Sequence, residues 1–318
     1  GLTGGLFLAM VNGACLVVPR VIAAGEIIAA MSEENISLMV AVPRLFRNIM
    51  QGLEKKFSES SVFLRGYVGL IRMLPIGVRR KINGPLMRKF GNVRCWVSGG
   101  SRLDPEIMRY YRQLGFPVRQ GYGLTETSPT ISVSADNDPV LDGVGTPLHG
   151  LEVHIHEPDA DGSGELWVRG SSVMLGYTDP ALTDEVMEDG WFKTGDIARL
   201  TDNGTIVLTG RAKRLIVTEA GKNVYPEELE ILLERFTLVK EAGVIEVDMK
   251  PVAVLACELE GDDAVTALRG VLKDFNRQTS GHNQITRFAV VEELPRTPLG
   301  KIALSHLPAV FDEHEVAR

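Results

Sequence analysis

The first third of the chain alternates short apolar runs with longer segments of helical period, and this alternation constrains its fold more than any other feature. Gly25 to Glu34 reads as a helix, Ile36 to Val42 as a strand, and Pro43 to Lys56 as a helix with proline in its first turn. Upstream, Leu6 to Val11 reads as a helix end closed by Asn12-Gly13, and Ala14 to Pro19 as a buried strand. Residues 59–90 carry basic and apolar residues at the spacing of surface helices. Val93 to Val97 is then a strand ending in Ser98-Gly99-Gly100-Ser101. Asp104 is placed to cap a helix running to Leu114, and Pro117 to Gln120 is a strand entering Gly121-Tyr122-Gly123. Strand–helix–strand succession of this kind implies parallel strands layered against helices, an α/β architecture.

From about residue 140 the pattern changes to short alternating runs, Glu152 to His156, Glu165 to Val168 and Thr205 to Thr209, separated by turn clusters. That predicts a small antiparallel sheet or barrel. After Gly210-Arg211 helices and strands alternate again: helix Pro226 to Phe236, strands near 243–247 and 251–259, helix Ala264 to Gln278 and strand Phe288 to Glu292. A domain boundary is expected near Arg211 to Arg214, and 318 residues at about 150 per domain fit roughly two domains.

With 44% hydrophobic and 24% charged residues the chain can bury a core, which excludes long disorder. A net charge of −7 argues against a broad basic surface for nucleic acid. Cys15, Cys95 and Cys257 stand far apart, forming neither a disulfide framework nor a zinc pattern, so a cytoplasmic location is expected. Gly5 to Val18, the most apolar stretch, is broken by Asn12-Gly13 and falls short of the ~20 residues of a membrane span. It lacks a basic leader and an initiator Met, so it does not read as a signal peptide; the chain is expected to begin inside a longer protein.

Common cofactor patterns fail. Gly121-Tyr-Gly123 does not continue as a dinucleotide loop, Gly300-Lys301 is no Walker motif, and no nucleophile elbow occurs. His154 and His156 share a strand face, with His149 nearby, but no cysteine or placed carboxylate completes a metal set, so a polar strand face is the simpler reading. Polar turns remain where a parallel sheet should end: Ser98 to Ser101 and Gly121 to Ser128. Ligands of open α/β sheets bind outside the strand carboxyl ends, and a hydroxyl beside a carboxylate, Thr125-Glu126, suits phosphate and Mg²⁺. From these residues alone a ligand site and an ordinary tight turn stay equally open.

The motifs taken in order are far more specific. They are Gln120-Gly-Tyr-Gly-Leu-Thr-Glu-Thr-Ser128, Trp191-Phe-Lys-Thr-Gly-Asp196, Thr209-Gly-Arg-Ala-Lys213, Gly221-Lys-Asn-Val-Tyr-Pro-Glu-Glu228 and Pro295-Arg-Thr-Pro-Leu-Gly-Lys301. This set closely resembles the adenylate-forming, AMP-binding superfamily of acyl-CoA synthetases, firefly luciferase and peptide-synthetase adenylation domains. Ser98-Gly-Gly and Val42-Pro-Arg-Leu-Phe46 most resemble its fatty acyl-CoA synthetase branch. The resemblance implies the second half of a doubly wound α/β domain over residues 1–138. It implies a small β-barrel subdomain over 139–211 and a mobile α+β lid domain over 212–318. The family's phosphate loop would precede Gly1, so the 318 residues alone are expected to have negligible ligase activity, leaving a binding-only fragment as one reading. Faces left without partners would then favour self-association.

By the same resemblance Gly99, Gly100 and Ser101 line an adenine pocket, joined by the Gln120, Gly121, Tyr122, Gly123 turn with Tyr122 stacked on the base. Thr125 would hold the α-phosphate, Glu126 a Mg²⁺ ion, and Asp196 and Arg211 the ribose. Lys301 would be the catalytic cation, Lys213 the hinge, and Gly221 with Lys222 part of the CoA-binding segment. Val217 and Arg214 depart from the residues that many relatives carry there. ATP, Mg²⁺, CoA and a carboxylic, fatty acid are the implied ligands, with no nucleic acid. Transfer to a carrier-protein thiol is the alternative to CoA. Contact of Arg79-Arg80-Lys81 and Arg88-Lys89 with anionic lipid stays open beside their reading as solvated helix faces.

Overall fold

A computed structural model describes residues 6–19, 21, 23–58, 74–136, 138–297 and 301–316. The helices are α1 (Leu8–Val11), α2 (Ala24–Glu33), α3 (Pro43–Ser58), α4 (Ile76–Ile82), α5 (Gly84–Arg88), α6 (Pro105–Leu114), α7 (Pro180–Val186), α8 (Pro226–Leu233), α9 (Gly261–Gln278) and α10 (Leu307–His314). The first strands are β1 (Leu38–Ala41), β2 (Cys95–Ser98) and β3 (Val118–Tyr122), with β1 parallel to β2 and β2 parallel to β3. The short β4 (Ser132–Val133) closes that sheet antiparallel to β3. The expected α/β class is what the described residues form. Contacts divide the chain into two compact units, Gly1–Thr194 with Ala198–Leu208, and Gly195–Ile197 with Thr209–Arg318.

In the first unit β2 buries Trp96 and β3 buries Val118 against α3 and α6. Trp96 meets Phe46, Tyr111 and Phe116 at ring-centroid separations of 6.0, 5.7 and 5.0 Å. Each such side chain contributes about 1.5–3 kcal/mol through burial alone. The buried Tyr111 hydroxyl donates to the Phe46 carbonyl at 2.8 Å, tying α6 to α3. Helix α6 starts where the sequence directs: Asp104 accepts from the Glu106 N–H at 2.9 Å, and Pro105 takes the first turn. Arg79 and Arg80 of α4 turn inward, Arg79 onto the Arg112 carbonyl at 3.2 Å and Arg80 onto the Gly115 carbonyl at 3.1 Å. Among the described residues no helix is long and apolar enough to cross a membrane.

Ala14 to Pro19, expected as a buried strand, is irregular, with Leu16 and Val18 45% and 76% exposed. A strand needs a neighbour for its main-chain groups, and none of the described strands lies beside it. The helical expectation for residues 59–73 lies outside the described residues.

The later strands are β5 (Leu151–His156), β6 (Gly164–Gly170), β7 (Met187–Glu188), β8 (Trp191–Leu200) and β9 (Ile206–Arg211). They form one sheet in the order β5-β6-β8-β7, with β9 also on β8. The barrel expectation is corrected here: among the described residues the sheet is not closed. Ten-residue β8 is long enough to serve three partners, β6, β7 and β9, so the sheet branches instead of returning β5 to an end strand. On its outer face His156 stacks on Trp167 at 3.9 Å and His154 meets Trp191 at 4.7 Å, so these histidines pack as ring partners.

In the second unit β10 (Ile216–Val217) pairs with β11 (Asn223–Val224), and β12 (Glu241–Val247) with β13 (Lys250–Ala256), both antiparallel. Strand β14 (Phe288–Val291) runs parallel to β13. Both faces of β13 are covered. Ala253 and Leu255 face Leu268, Val271, Leu272 and Phe275 of α9, whereas Val252 and Val254 face Leu307 and Phe311 of α10. A strand buried on both sides reads as the unbroken apolar run seen from Pro251 to Cys257.

Candidate functional site

Within the first unit the expected nucleotide residues gather at the carboxyl ends of β2 and β3. Gly99 directly follows β2, and a Cβ added there would lie 3.6 Å from the Gly121 carbonyl, so the two strand-end turns are neighbours. Gly100 and Ser101 continue the first turn, with Ser101 exposed. At Gly123 a Cβ would come within 1.9 Å of the Pro129 carbonyl, so this turn admits only glycine. The turn is pinned further along: Thr127 Oγ1 accepts from the Leu124 N–H at 3.1 Å and donates to the Leu124 carbonyl at 3.0 Å. Thr125, exposed, and Glu126, half-buried, are thereby held on a single 3₁₀ turn.

Two of the expected residues are used largely within the protein. Gln120 is buried; its amide donates to the Leu141 and Gly143 carbonyls at 3.1 and 3.2 Å and accepts from the Leu103 N–H at 3.1 Å. Tyr122 is 9% exposed and packs with Ile131, Val144 and Ile206. Among the described residues the buried Ser98 and Ser132 hydroxyls beside them have no hydrogen-bond partner.

The sequence reading missed Tyr177. Its hydroxyl donates to Glu126 Oε1 at 2.8 Å, and this bond to a carboxylate is the main cause that raises the phenol above its ordinary pKa. Gly176-Tyr177 just ahead of Asp179-Pro180, a helix-start pair, was the available signal, but nothing local ties it to Glu126.

Within the second unit Asp196 and Arg211 meet across neighbouring strands, Arg211 Nε to Asp196 Oδ1 at 3.0 Å. Asp196 is 6% exposed whereas the Arg211 side chain is 59% exposed, so a fixed anion is paired with a cation open to solvent. Lys213, exposed, sits on the 3₁₀ turn Ala212–Arg214. That turn is anchored by Arg214, which reaches Glu230 at 2.6 Å, Glu227 at 2.9 Å and the Val244 carbonyl at 3.1 Å. Burial pushes the Glu230 carboxyl up to about 7, outweighing the pull of Arg214. Gly221 and Lys222 lie at the end of the β10–β11 hairpin, where the Lys222 N–H donates to Thr218 Oγ1 at 3.1 Å. Lys301 is exposed, its main chain bonded to Thr297 at 2.8 and 3.2 Å, while Pro298 to Gly300 lie outside the described residues.

Among the described residues no group of three or more His, Cys, Asp or Glu gathers to hold a metal. Glu126 with Thr125 supplies one carboxylate and one hydroxyl. Such a sparse oxygen set fits Mg²⁺, which keeps waters and takes further oxygens from substrate phosphates.

Residues 1–178 match the family described as AMP-binding enzyme. The long-chain-fatty-acid–CoA ligase FadD15 of Mycobacterium bovis is 41% identical over 162 residues, 51% of this chain and 26% of that protein. The chloroplastic long-chain-fatty-acid–[acyl-carrier-protein] ligase AEE15 of Arabidopsis thaliana is 32% identical over 207 residues, 59% of this chain and 28% of that protein. In fold, the O-succinylbenzoate coenzyme A synthetase of Bacillus subtilis, solved with AMP, superposes with a TM-score of 0.73 at 24% identity, over 96% of this chain and 58% of that one. The chain thus spans about a quarter of the length of these two curated relatives. On the match across its first 178 residues, the chain belongs to the AMP-binding enzyme family, within the adenylate-forming superfamily.

Proposed function

We propose that the protein containing this chain is a cytoplasmic, ATP-dependent fatty acid–CoA ligase working through an acyl-adenylate. The acid's carboxylate oxygen attacks the α-phosphorus of ATP, the bond to pyrophosphate breaks, and the CoA thiol then displaces AMP from the acyl carbon. The observation that carries this reading is the pair of Asp196 and Arg211, a buried carboxylate held 3.0 Å from an exposed guanidinium. Asp196 is a fixed acceptor for vicinal ribose hydroxyls, and the Arg211 fork donates to paired oxygens. Gly99 to Ser101 and Gly121 to Gly123 offer close backbone approach to adenine, and Thr125 donates its hydroxyl to the α-phosphate. Glu126 would hold Mg²⁺, which supplies charge neutralisation on the phosphates when bound; a named neighbour in fold was solved with ATP and magnesium.

The Lys301 ammonium, which is exposed, would offset the charge of carboxylate and phosphate as they approach, an effect typically worth a few kcal/mol. Lys213 is the pivot that brings either Lys301 or the Gly221-Lys222 hairpin into play. In the intact protein Lys301→Ala is expected to cut acyl-AMP formation about 100-fold or more while leaving transfer from preformed acyl-AMP to CoA largely intact. Equal adenylation by wild type and variant, measured as acyl-hydroxamate, would remove Lys301 from the reaction. The name of the Arabidopsis relative supports a second reading, in which the acceptor is a carrier-protein thiol. Supplying purified acyl-AMP complex with CoA or with carrier protein separates the two.

A further inference from the structure

One loop grips both the main chain and the side chain of Glu126. The Met174 N–H donates to the Glu126 carbonyl at 2.7 Å, and the Tyr177 hydroxyl, 51 residues along the chain from Glu126, donates to its Oε1 at 2.8 Å. The loop is built to deliver that phenol. Gly176 turns at φ +153, a conformation that side chains rarely adopt, and a Cβ there would strike Thr183 Oγ1 at 2.9 Å. The Tyr177 N–H donates to the same Thr183 hydroxyl at 2.8 Å, and Thr183 lies on α7, whose cap Asp179 accepts from the Ala181 N–H at 3.0 Å. Tyr177 is 38% exposed, so burial does not force the contact; a phenol with access to water is instead directed onto one carboxylate oxygen.

We infer that Tyr177 is a positioning residue: by occupying Oε1 it fixes the Glu126 carboxylate, so that Oε2 is presented to the divalent cation of a bound cation–nucleotide complex. The inference rests on the role proposed above for Glu126. A carboxylate on a flexible stem must be immobilised before it can ligate, and the phenol does this in advance. A purely structural staple would change stability without changing cation affinity.

The test uses Mn²⁺ as the probe, its binding in the presence of ATP followed by electron paramagnetic resonance on the intact protein. Tyr177→Phe is expected to weaken Mn²⁺–ATP binding about 5- to 10-fold. Metal-free AMP binding and the thermal unfolding midpoint should stay unchanged. Glu126→Gln should also weaken Mn²⁺ binding, and adding Tyr177→Phe to it should bring no further loss, because the phenol acts through that carboxylate. Equal Mn²⁺–ATP affinity in wild type and Tyr177→Phe, or full additivity in the double variant, overturns the inference and leaves the ligase reading standing. Absence of Mn²⁺–ATP binding by the wild type removes both.

Discussion

Replacing Arg214 by Met keeps most of the side-chain volume and deletes the charge that binds the Ala212–Arg214 turn to α8 and β12. Both partners are largely buried: the Arg214 and Glu230 side chains are each 15% exposed, and Glu227 is 22% exposed. Glu230 Oε1 also accepts from the Val244 N–H at 2.8 Å, so the carboxylate cannot leave without giving up its bond to the middle of β12. Removing one member of such a buried pair costs about 3–5 kcal/mol, because the remaining charge is stranded. The pH dependence follows from Glu230, whose carboxyl is raised from 4.5 to about 7 by burial. Between those values the folded protein binds a proton that the unfolded chain does not. The contribution of this group is therefore fully present below about pH 4.5 and lost as pH rises through about 7. Without Arg214 only the Val244 N–H still offsets burial, and the carboxyl moves further up. Arg214→Met should thus lose about 3–5 kcal/mol at pH 8 and about half that at pH 5, where Glu230 takes up a proton. Urea unfolding followed by circular dichroism, with amide exchange at Val244, measures both. Adding Glu230→Gln should recover much of the loss at pH 8. A loss below about 1 kcal/mol at pH 8, or equal losses at the two pH values, would refute the reasoning.

Gly123→Ala should destabilise the first unit by about 1–3 kcal/mol or more, since its methyl meets a carbonyl rather than a flexible side chain; the unfolding midpoint checks this. Asp104→Ala should cost about 1 kcal/mol by leaving the Glu106 N–H without its cap, and Asp104→Asn should restore most of it in the same assay.

Legibility followed the range of the interactions. Helix α6 was visible because its start signals, Asp104 and Pro105, lie within the element they set. The parallel sense of β1, β2 and β3 was visible because each strand's apolar run and following helix are contiguous in sequence. Strand β8 was not visible as one element: Trp191 to Leu200 mixes polar and apolar residues and includes Gly195, and what holds it is pairing on both sides. Helix α10 was also missed, because Leu307 and Phe311, four apart, carry a stripe too short to stand out until β13 supplies its face. Ala14 to Pro19 erred the opposite way, for an apolar run specifies burial without specifying the neighbour that makes it a strand.

The candidate site divides along the same line. Its turns were legible because glycines beside hydroxyls and carboxylates declare a close-approach backbone within a few residues, as Gly121 to Glu126 do. Its supporting contacts were not, because Tyr177 reaches Glu126 across 51 residues and neither residue shows a local need for the other. Gln120 lies between these cases. Period-two alternation puts it on the same face of β3 as Val118 and Tyr122, all three buried, so a polar side chain there must find partners inside the protein. It finds the Leu103 N–H and the Leu141 and Gly143 carbonyls, which fix the segments flanking the turn. A polar residue inside a glycine-rich turn motif can thus act by holding the motif's shape, and its inward register distinguishes it from the exposed Thr125.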